Sequence, residues 1–395
     1  MSPPRTIVMG GSLAGLAAGI FLRRVGCDVT VFERSRRPLQ GRGAGIVLHP
    51  TIFRALDRDP AEITARAEVL RYLDRDGTLA SEQPCDYRFI SYSTLHRSML
   101  EAFDAELLHL GSEVVDFTQD ADTVEVVLRD GRRVRGDLLV CADGIRSTAR
   151  RKLAPDVERT YAGYVGWRGT VVEHELSDDA FRTFADAITY CVLPDSHILV
   201  YPIPSPDGSL EPGTRLTNWV WYRNVVSADL DRLLVDTHGV RHDLSLGTGE
   251  VPEATVARLV ADAARMLPPQ LSELVAESRE PFVQVVFDIA ARQMAFGRIA
   301  LIGDAACALR PHVAAGTAKA ADDAWTLARA VSGAGDDLPG ALREWETGRL
   351  GLAAQAMERA RDAGVRAQLE NSWRVGDPLP FGLYETGDSL LTQTT

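Results

Sequence analysis

Eight histidines occur in the 395 residues, and three stand where proton chemistry could be done. His197 is followed four residues later by Tyr201 in an apolar, β-branched run, so strand alternation sets both side chains on one face. His49 comes just after the apolar segment Gly45-Ile46-Val47-Leu48, and His312 follows Pro311. Imidazole ordinarily titrates near neutrality, and a tyrosine relayed through it could take the proton of a ring hydroxyl. Other groups suit binding. Glu33 and Asp304 each close an apolar run, where a carboxylate can accept bonds from the hydroxyls of a ribose or a polyol. Gly10-Gly11-Ser12-Leu13-Ala14-Gly15 is a turn whose glycines let main chain approach a pyrophosphate.

These groups need elements to hold them. Residues 6–9 read as a strand, 16–25 as a helix ended by Gly26, and 28–32 as a second strand. Glu33 then lies 23 residues after Gly10 in a β-α-β unit, and a dinucleotide carrying an adenosine ribose fits it. Ser12 stands where that fingerprint has its second glycine. Residues 135–140 read as one strand entering the turn Cys141-Ala142-Asp143-Gly144, with a helix from Thr148. Residues 298–302 read as a strand ending in Gly303-Asp304. After Pro311-His312, the run Ala314-Ala315-Gly316-Thr317-Ala318 opens a helix of small residues, whose bare N–H groups and positive dipole end favour negative charge. Strand-like stretches at 163–172, 187–193, 197–203 and 215–221 predict an inserted antiparallel sheet, followed by helix at 255–280 and a strand at 281–289 that returns to the cofactor domain. Trp167, Arg168, Trp219 and Trp221 belong to that sheet, and alternation leaves open which of them face a pocket; Cys191 reads as core.

The glycine turn, the Asp143-Gly144 motif and the Gly303-Asp304 motif, in this order and spacing, resemble the aromatic-hydroxylase class of FAD monooxygenases over nearly the whole chain. Within it the likeness is greatest to hydroxypyridine hydroxylases, through TYAGYVGWRG at 160–169, YPIP at 201–204 and PHVAAGTAKAADDA at 311–324. The resemblance implies an α/β fold of the p-hydroxybenzoate hydroxylase kind: a Rossmann-like FAD-binding domain, an inserted antiparallel substrate sheet and C-terminal helices. Its expected boundaries are 1–70, 96–162 and 283–340 for the FAD domain, 71–95 and 163–282 for the substrate domain, and 341–395 for the C-terminal segment. It implies non-covalent FAD on Gly10, Ser12, Leu13, Ala14, Gly15, Glu33, Arg34, Asp143, Asp304, Pro311, Ala315, Gly316, Thr317 and Ala318, with NADH or NADPH binding transiently. Tyr92 stands where many of the class place an arginine. The substrates implied are O₂ and a small electron-rich aromatic, a hydroxypyridine such as 2,6-dihydroxypyridine, attacked by a flavin hydroperoxide. His197 with Tyr201 is the expected proton relay, and His49 and His312 the expected hydrogen-bonding partners of substrate or peroxide.

Composition narrows the alternatives. Forty-three basic against 55 acidic residues give a net charge of −12, which disfavours nucleic acid and anionic membranes as partners. No apolar run approaches a bilayer span and no signal-peptide core follows Met1, so a cytoplasmic protein is expected, with a homodimer as one option. The five cysteines show no metal-ligand spacing and read as reduced thiols, so no metal is expected. The Arg-rich stretch at 359–366 reads as a solvated helix face. A tailoring monooxygenase with a larger phenolic substrate and a non-catalytic flavin-binding regulator are the rival readings. A flavin halogenase is disfavoured, because Trp219-Val220-Trp221 runs into Tyr222-Arg223 instead of that family's GWxWxIP motif.

Overall fold

The computed structural model describes residues 3–37, 39 and 45–389, so the last tail residues, 390–395, lie outside it. The chain opens with β1 (Arg5–Met9), α1 (Leu13–Arg24) and β2 (Asp28–Phe32). The turn between β1 and α1 depends on two glycines. Gly10 has φ +109°, and a Cβ there would lie 2.4 Å from the Ala142 carbonyl oxygen; at Gly15 a Cβ would lie 1.8 Å from that of Gly10. Any side chain would push the helix off the turn, or the turn off the neighbouring strand end.

Next come β3 (Gly45–Val47), α2 (Pro50–Phe53), β4 (Ala65–Leu73), β5 (Leu79–Ser91), α3 (Tyr92–Ala102) and β6 (Leu108–His109). A meander of β7 (Val114–Gln119), β8 (Val124–Leu128) and β9 (Arg133–Gly136) leads to β10 (Leu138–Cys141) and α4 (Thr148–Leu153). The single strand expected at 135–140 is thus two. Asp137 breaks it, accepting a bond from the Arg5 amide at 2.8 Å, so β9 stays in the meander while β10 joins β1. The middle of the chain holds β11 (Thr160–Val172), α5 (Asp178–Phe184), β12 (Ala187–Leu193), β13 (Ser196–Ile203) and β14 (Leu216–Asn224). It continues through α6 (Ser227–Leu233), β15 (Ser245–Leu246), α7 (Glu253–Met266), α8 (Pro269–Glu277) and β16 (Phe282–Ala290). The chain closes with β17 (Ala295–Phe296), β18 (Ile299–Leu301), β19 (Cys307–Ala308), α9 (Gly316–Gly333) and α10 (Leu338–Gln368).

A six-stranded sheet of order β17-β18-β10-β1-β2-β6 is parallel except at β17. It brings the C-terminal ends of β1, β2, β10 and β18 together, so Gly10, Glu33, Asp143 and Asp304 gather at one rim. A larger sheet of order β15-β16-β11-β14-β13-β12-β4-β5-β3, with β19 paired to β16, is antiparallel apart from the β12–β4 pair. It takes in β3, β4 and β16, so the substrate sheet reaches beyond 71–95 and 163–282. The strand expected at 281–289 to return to the cofactor domain pairs with β11 instead.

Alternation across the large sheet is clean. Trp167, Ile198, Val200, Trp219, Trp221 and Cys191 pack on one face against α7 and α8. Gly166, Arg168, His197, Leu199, Tyr201, Val220 and Tyr222 face a groove. Each buried tryptophan removes ~150–250 Å² from water, at most about 4–6 kcal/mol, which favours the closed face for the indoles. Two of the three indole N–H groups there are satisfied by side chains, Trp219 by Ser278 at 2.7 Å and Trp221 by Ser196 at 2.8 Å.

The helix α10 runs 31 residues behind both units. Its arginines at 359–366 are partly solvated, as expected, but they are also paired: Arg359 donates to the carbonyls of Gly382, Leu383 and Tyr384, Arg361 to Asp288, and Arg366 to Asp377. They tie the C-terminal tail and β16 to the helix. No helix among the described residues is long and apolar enough to cross a membrane.

Candidate active site

Two adjoining cavities, of about 590 and 460 Å³, share Ser12, Tyr92, Ala142, Gly144, Ile145 and Gln284, forming one groove between the sheets. The outer cavity is lined by Gly10, Ser12, Glu33, Arg34 and Asp143. Glu33 accepts the Gly11 amide at 2.8 Å and the Ser35 amide at 2.7 Å, which locks β2 to the glycine turn. A carboxylate has about four lone-pair sites, so acceptors remain for a ribose. Gly15 faces Gly10 and not the groove; its part is packing.

Ser12 is the N-cap residue of α1, yet its hydroxyl makes no cap bond and pairs with the Tyr92 hydroxyl at 2.7 Å. The first-turn amides of α1 are therefore left without a side-chain cap, facing the groove. The two departures from the class pattern, at 12 and 92, are thus one feature: a hydroxyl pair joining the starts of α1 and α3. His96 supports it. Its ring stacks on Tyr92 at 5.8 Å, and Nε2 lies 3.0 Å from the Gly11 carbonyl. Burial lowers the His96 pKa, so a neutral ring donates this bond.

Asp143 lines the cavity, but its carboxylate serves α4. It accepts Ser147 Oγ at 2.6 Å and the Thr148 and Ala149 amides at 2.6 and 3.3 Å. Arg150, which the sequence reading did not single out, is buried and donates to the carbonyls of Ile145 at 2.6 Å and Ala305 at 3.0 Å. It cross-links the two aspartate motifs. Asp304 stands exposed in the groove. Behind it, buried Lys319 pairs with buried Asp323 at 2.5 Å, and Asp323 accepts the Gly303 amide at 3.1 Å.

The inner cavity contains Leu13, Ala14, Asp304, Pro311, His312, Ala315, Gly316 and Thr317 in its wall. The αL conformation of Ala314 (φ +53°) ends a short 3₁₀ turn, and α9 then starts at Gly316 with no side-chain cap. Gly316 lines the cavity, and nothing would meet a Cβ placed on it within 4 Å, so open space lies beside the start of α9. Ala318 departs from expectation. Its methyl is in the core and its carbonyl accepts Thr51 Oγ1 at 3.2 Å, so it does not line the groove.

Two of the expected chemical groups converge. The rings of His197 and His312 lie 5.4 Å apart, each 4.8 Å from Tyr222. Gln368, from the end of α10, donates its amide to His197 Nδ1 at 2.6 Å. Tyr164 meets His312 Nε2 at 2.8 Å. Burial pushes the His197 pKa down to about 3, and His312 far below its ordinary value, with His197 and Arg310 adding to the effect. Both rings are neutral at physiological pH, which corrects the expectation of a near-neutral base.

Tyr201 shares the groove face with His197 but not a bond. Its hydroxyl donates to the Gly45 carbonyl at 2.9 Å and its ring stacks on Phe89 at 4.2 Å, so no His197–Tyr201 relay exists. The spacing of four residues put the pair on one face correctly, but about 13 Å of strand separates them. His49 is the second correction. Its Nδ1 caps α2 by accepting the Thr51 amide at 3.1 Å, Nε2 lies 3.2 Å from Asp388, and the ring does not line the groove.

The groove suits FAD on three observations: the uncapped helix starts at Ser12 and Ala315, the open space beside Gly316 at the start of α9, and the exposed Asp304 carboxylate at a strand end. Comparison with known proteins agrees. A model of the FAD binding domain family matches residues 5–221, and an FAD binding domain-like model matches 161–288. The 2,6-dihydroxypyridine 3-monooxygenase of Paenarthrobacter nicotinovorans is 37% identical over 391 residues, 97% of either chain. The structure of 2,6-dihydroxypyridine-3-hydroxylase from Arthrobacter nicotinovorans matches with a TM-score of 0.91 at 36% identity, over 97% of this chain and 98% of that one. The aurachin C monooxygenase/isomerase of Stigmatella aurantiaca is 28% identical over 388 residues, 93% of this chain and 90% of its own. The chain belongs to the FAD binding domain family and is one of its FAD-dependent aromatic-ring monooxygenases.

Proposed function

We propose that this monooxygenase hydroxylates a small hydroxypyridine, with 2,6-dihydroxypyridine as the reference substrate, in the cytoplasm. The stoichiometry is that of a monooxygenase: NAD(P)H, O₂, a proton and the arene give the hydroxyarene, water and NAD(P)⁺. FAD held at the groove by the starts of α1 and α9 and by Asp304 would supply the redox chemistry: hydride acceptance from the nicotinamide and transfer of one oxygen atom to the ring.

The observation that carries the substrate class is the pair of neutral imidazoles in the inner cavity. Two neighbouring imidazoles, their ring centroids 5.4 Å apart, can each offer a nitrogen to one oxygen substituent of a single six-membered ring, and so suit a dihydroxylated ring better than a hydrocarbon. Tyr190, Tyr222, Trp373 and Phe381 wall the same space with aromatic surface. They orient a flat ring and keep water from the reacting centre, where water would divert oxygen to H₂O₂. The relative that is 37% identical bears the name of a dihydroxypyridine monooxygenase, which supports the same reading.

The test is a panel of hydroxypyridines and phenols, scored for stimulated NADH and NADPH oxidation, product mass and H₂O₂. Hydroxypyridines should give the largest stimulation with a product heavier by one oxygen. Stimulation confined to bulky phenols, or oxidation that ends wholly in H₂O₂ with every hydroxypyridine, would overturn the substrate assignment.

A further inference from the structure

The inner cavity holds its two histidines in fixed hydrogen-bonding states, and each state is set by a residue outside the cavity's chemistry. Gln368 donates to Nδ1 of His197, so the proton of that neutral ring sits on Nε2. Among the described residues Nε2 has no protein partner, and the ring lines the cavity. Tyr164 is hydrogen-bonded to Nε2 of His312. The Arg310 guanidinium lies beside Tyr164, held by Asp288 at 3.0 Å, and a cation turns the phenol lone pairs toward itself. A Cβ placed on Gly364 of α10 would lie 2.5 Å from the Tyr164 hydroxyl and 3.1 Å from Arg310 Nη1, so the two polar ends share one spot that only a glycine leaves open. The tyrosine proton then points to His312, and the proton of that ring sits on Nδ1.

We infer that Gln368 and Tyr164 are positioning residues that lock His197 and His312 into tautomers offering two N–H donors, and no acceptor, to the substrate. The inference rests on the proposed substrate class and refines it. A two-donor clamp accepts ring oxygens in their oxo or oxyanion form and rejects a hydroxyl that must donate. The substrate is therefore taken up as its monoanion, its hydroxyl proton having been left in solvent, and no histidine acts as base. The ring arrives already electron-rich, which is the state an electrophilic oxygen attacks.

Binding should follow the ionisation of the substrate and not that of the protein. The groups facing the clamp are Tyr190, Tyr222 and Trp373 around His197, Tyr164 and Tyr222 around His312, and the guanidinium cations of Arg310 and, on the cavity wall, Arg168. Burial raises the pKa of Tyr164, Tyr190 and Tyr222 and lowers those of both histidines, so none of these rings changes charge between about pH 6 and 9.

Two measurements on the oxidised holoenzyme test this without turnover. The first is titration with 2,6-dihydroxypyridine, read by perturbation of the flavin absorbance. Kd should fall tenfold per pH unit below the substrate's own hydroxyl pKa and level off above it. Gln368→Glu, whose carboxylate demands the proton on Nδ1, should weaken binding at least tenfold and turn His197 into an acceptor. Tyr164→Phe should weaken it several-fold, with FAD content unchanged in both variants. A Kd that is flat at low pH and weakens above the substrate pKa would show an accepting site and overturn the inference.

The second measurement is long-range ¹H–¹⁵N correlation on ¹⁵N-histidine-labelled holoenzyme. It should assign the Nε2–H tautomer to His197 and the Nδ1–H tautomer to His312; the reverse for either ring would overturn the inference. This reading needs no ligand. If no hydroxypyridine perturbs the flavin at all, the substrate assignment fails while the tautomers are still decided.

Discussion

The two ends of the groove are built by different means. At the outer end, contiguous motifs at the rim of a parallel sheet turn main chain toward the groove: the Gly10–Gly15 turn, the uncapped start of α1, and the strand end at Glu33. At the inner end the partners are side chains brought together across great lengths of chain, His197 and Gln368 being 171 positions apart and Tyr164 and His312 148 apart. A main-chain site is specified by local conformation and fails when geometry is disturbed. A side-chain site is specified by tertiary packing and can be altered while the fold stays intact.

Matched glycine substitutions should expose this difference most strongly. Gly15→Ala drives a Cβ onto a main-chain oxygen that cannot move away, and should cost about 3 kcal/mol or more together with loss of bound flavin. Gly364→Ala meets the ends of Tyr164, Arg310 and His312, which can shift, so it should lower substrate affinity while flavin is retained. Melting temperature and flavin absorbance after gel filtration separate the two. Equal loss of flavin in both would erase the distinction.

Next in size is Asp304→Ala, a side-chain change at the main-chain end. Its exposed carboxylate should contribute about 1.5–3 kcal/mol through charge-assisted bonds to cofactor hydroxyls, so FAD affinity should fall between roughly tenfold and a hundredfold. Full flavin occupancy and unchanged affinity in the variant would remove Asp304 from the cofactor site.

The inner end also carries an acid signature. His197 is held at about 3 in the folded protein against an ordinary value of 6.5, so between these values the unfolded chain binds the extra proton. Stability should be fully present above about pH 6.5 and fall as the pH drops toward 3, by up to about 1.4 kcal/mol per unit from this ring. His197→Gln should flatten the slope of denaturant midpoint against pH. An unchanged slope would mean that His197 titrates normally.

The smallest effect is the coupling of Ser12 with Tyr92. A double-mutant cycle of Ser12→Ala and Tyr92→Phe, read as FAD affinity, should give about 0.5–1.5 kcal/mol of interaction from one hydroxyl pair. Additive effects would make their contact incidental.

The same division explains what could be read before the structure was known. The β-α-β unit, the strand ends at Glu33 and Asp304 and the α9 start were legible because each is a local run of strand, glycine and helix signals. Alternation put His197 and Tyr201 on one face without saying which way that face points; the structure turns it, with His312, to the groove. The partners were not legible: Tyr201 and His49 share those neighbourhoods in sequence, yet their polar atoms are used by Gly45 and by Thr51 and Asp388. Gln368 carries no local mark and Tyr164 none of its role, because only the packing of the α10 end on β13 and β14, and of β11 against the turn at Pro311, brings them to the histidines. Arg150 and His96 were hidden for the same reason, since each is defined by a carbonyl distant in sequence. The strand break at Asp137 depends on the Arg5 amide, equally far away.

One measurement bears most directly on the claim that main chain holds the cofactor while the histidine pair holds the substrate. The double variant His197→Ala, His312→Ala should be titrated with FAD after flavin removal, then assayed with 2,6-dihydroxypyridine for the ratio of hydroxylated product to NAD(P)H consumed. FAD affinity should stay within about threefold of the parent, while two lost donors at about 1.5 kcal/mol or more each should weaken substrate binding at least a hundredfold and send most reducing equivalents to H₂O₂. Loss of FAD with the product ratio preserved would contradict the account.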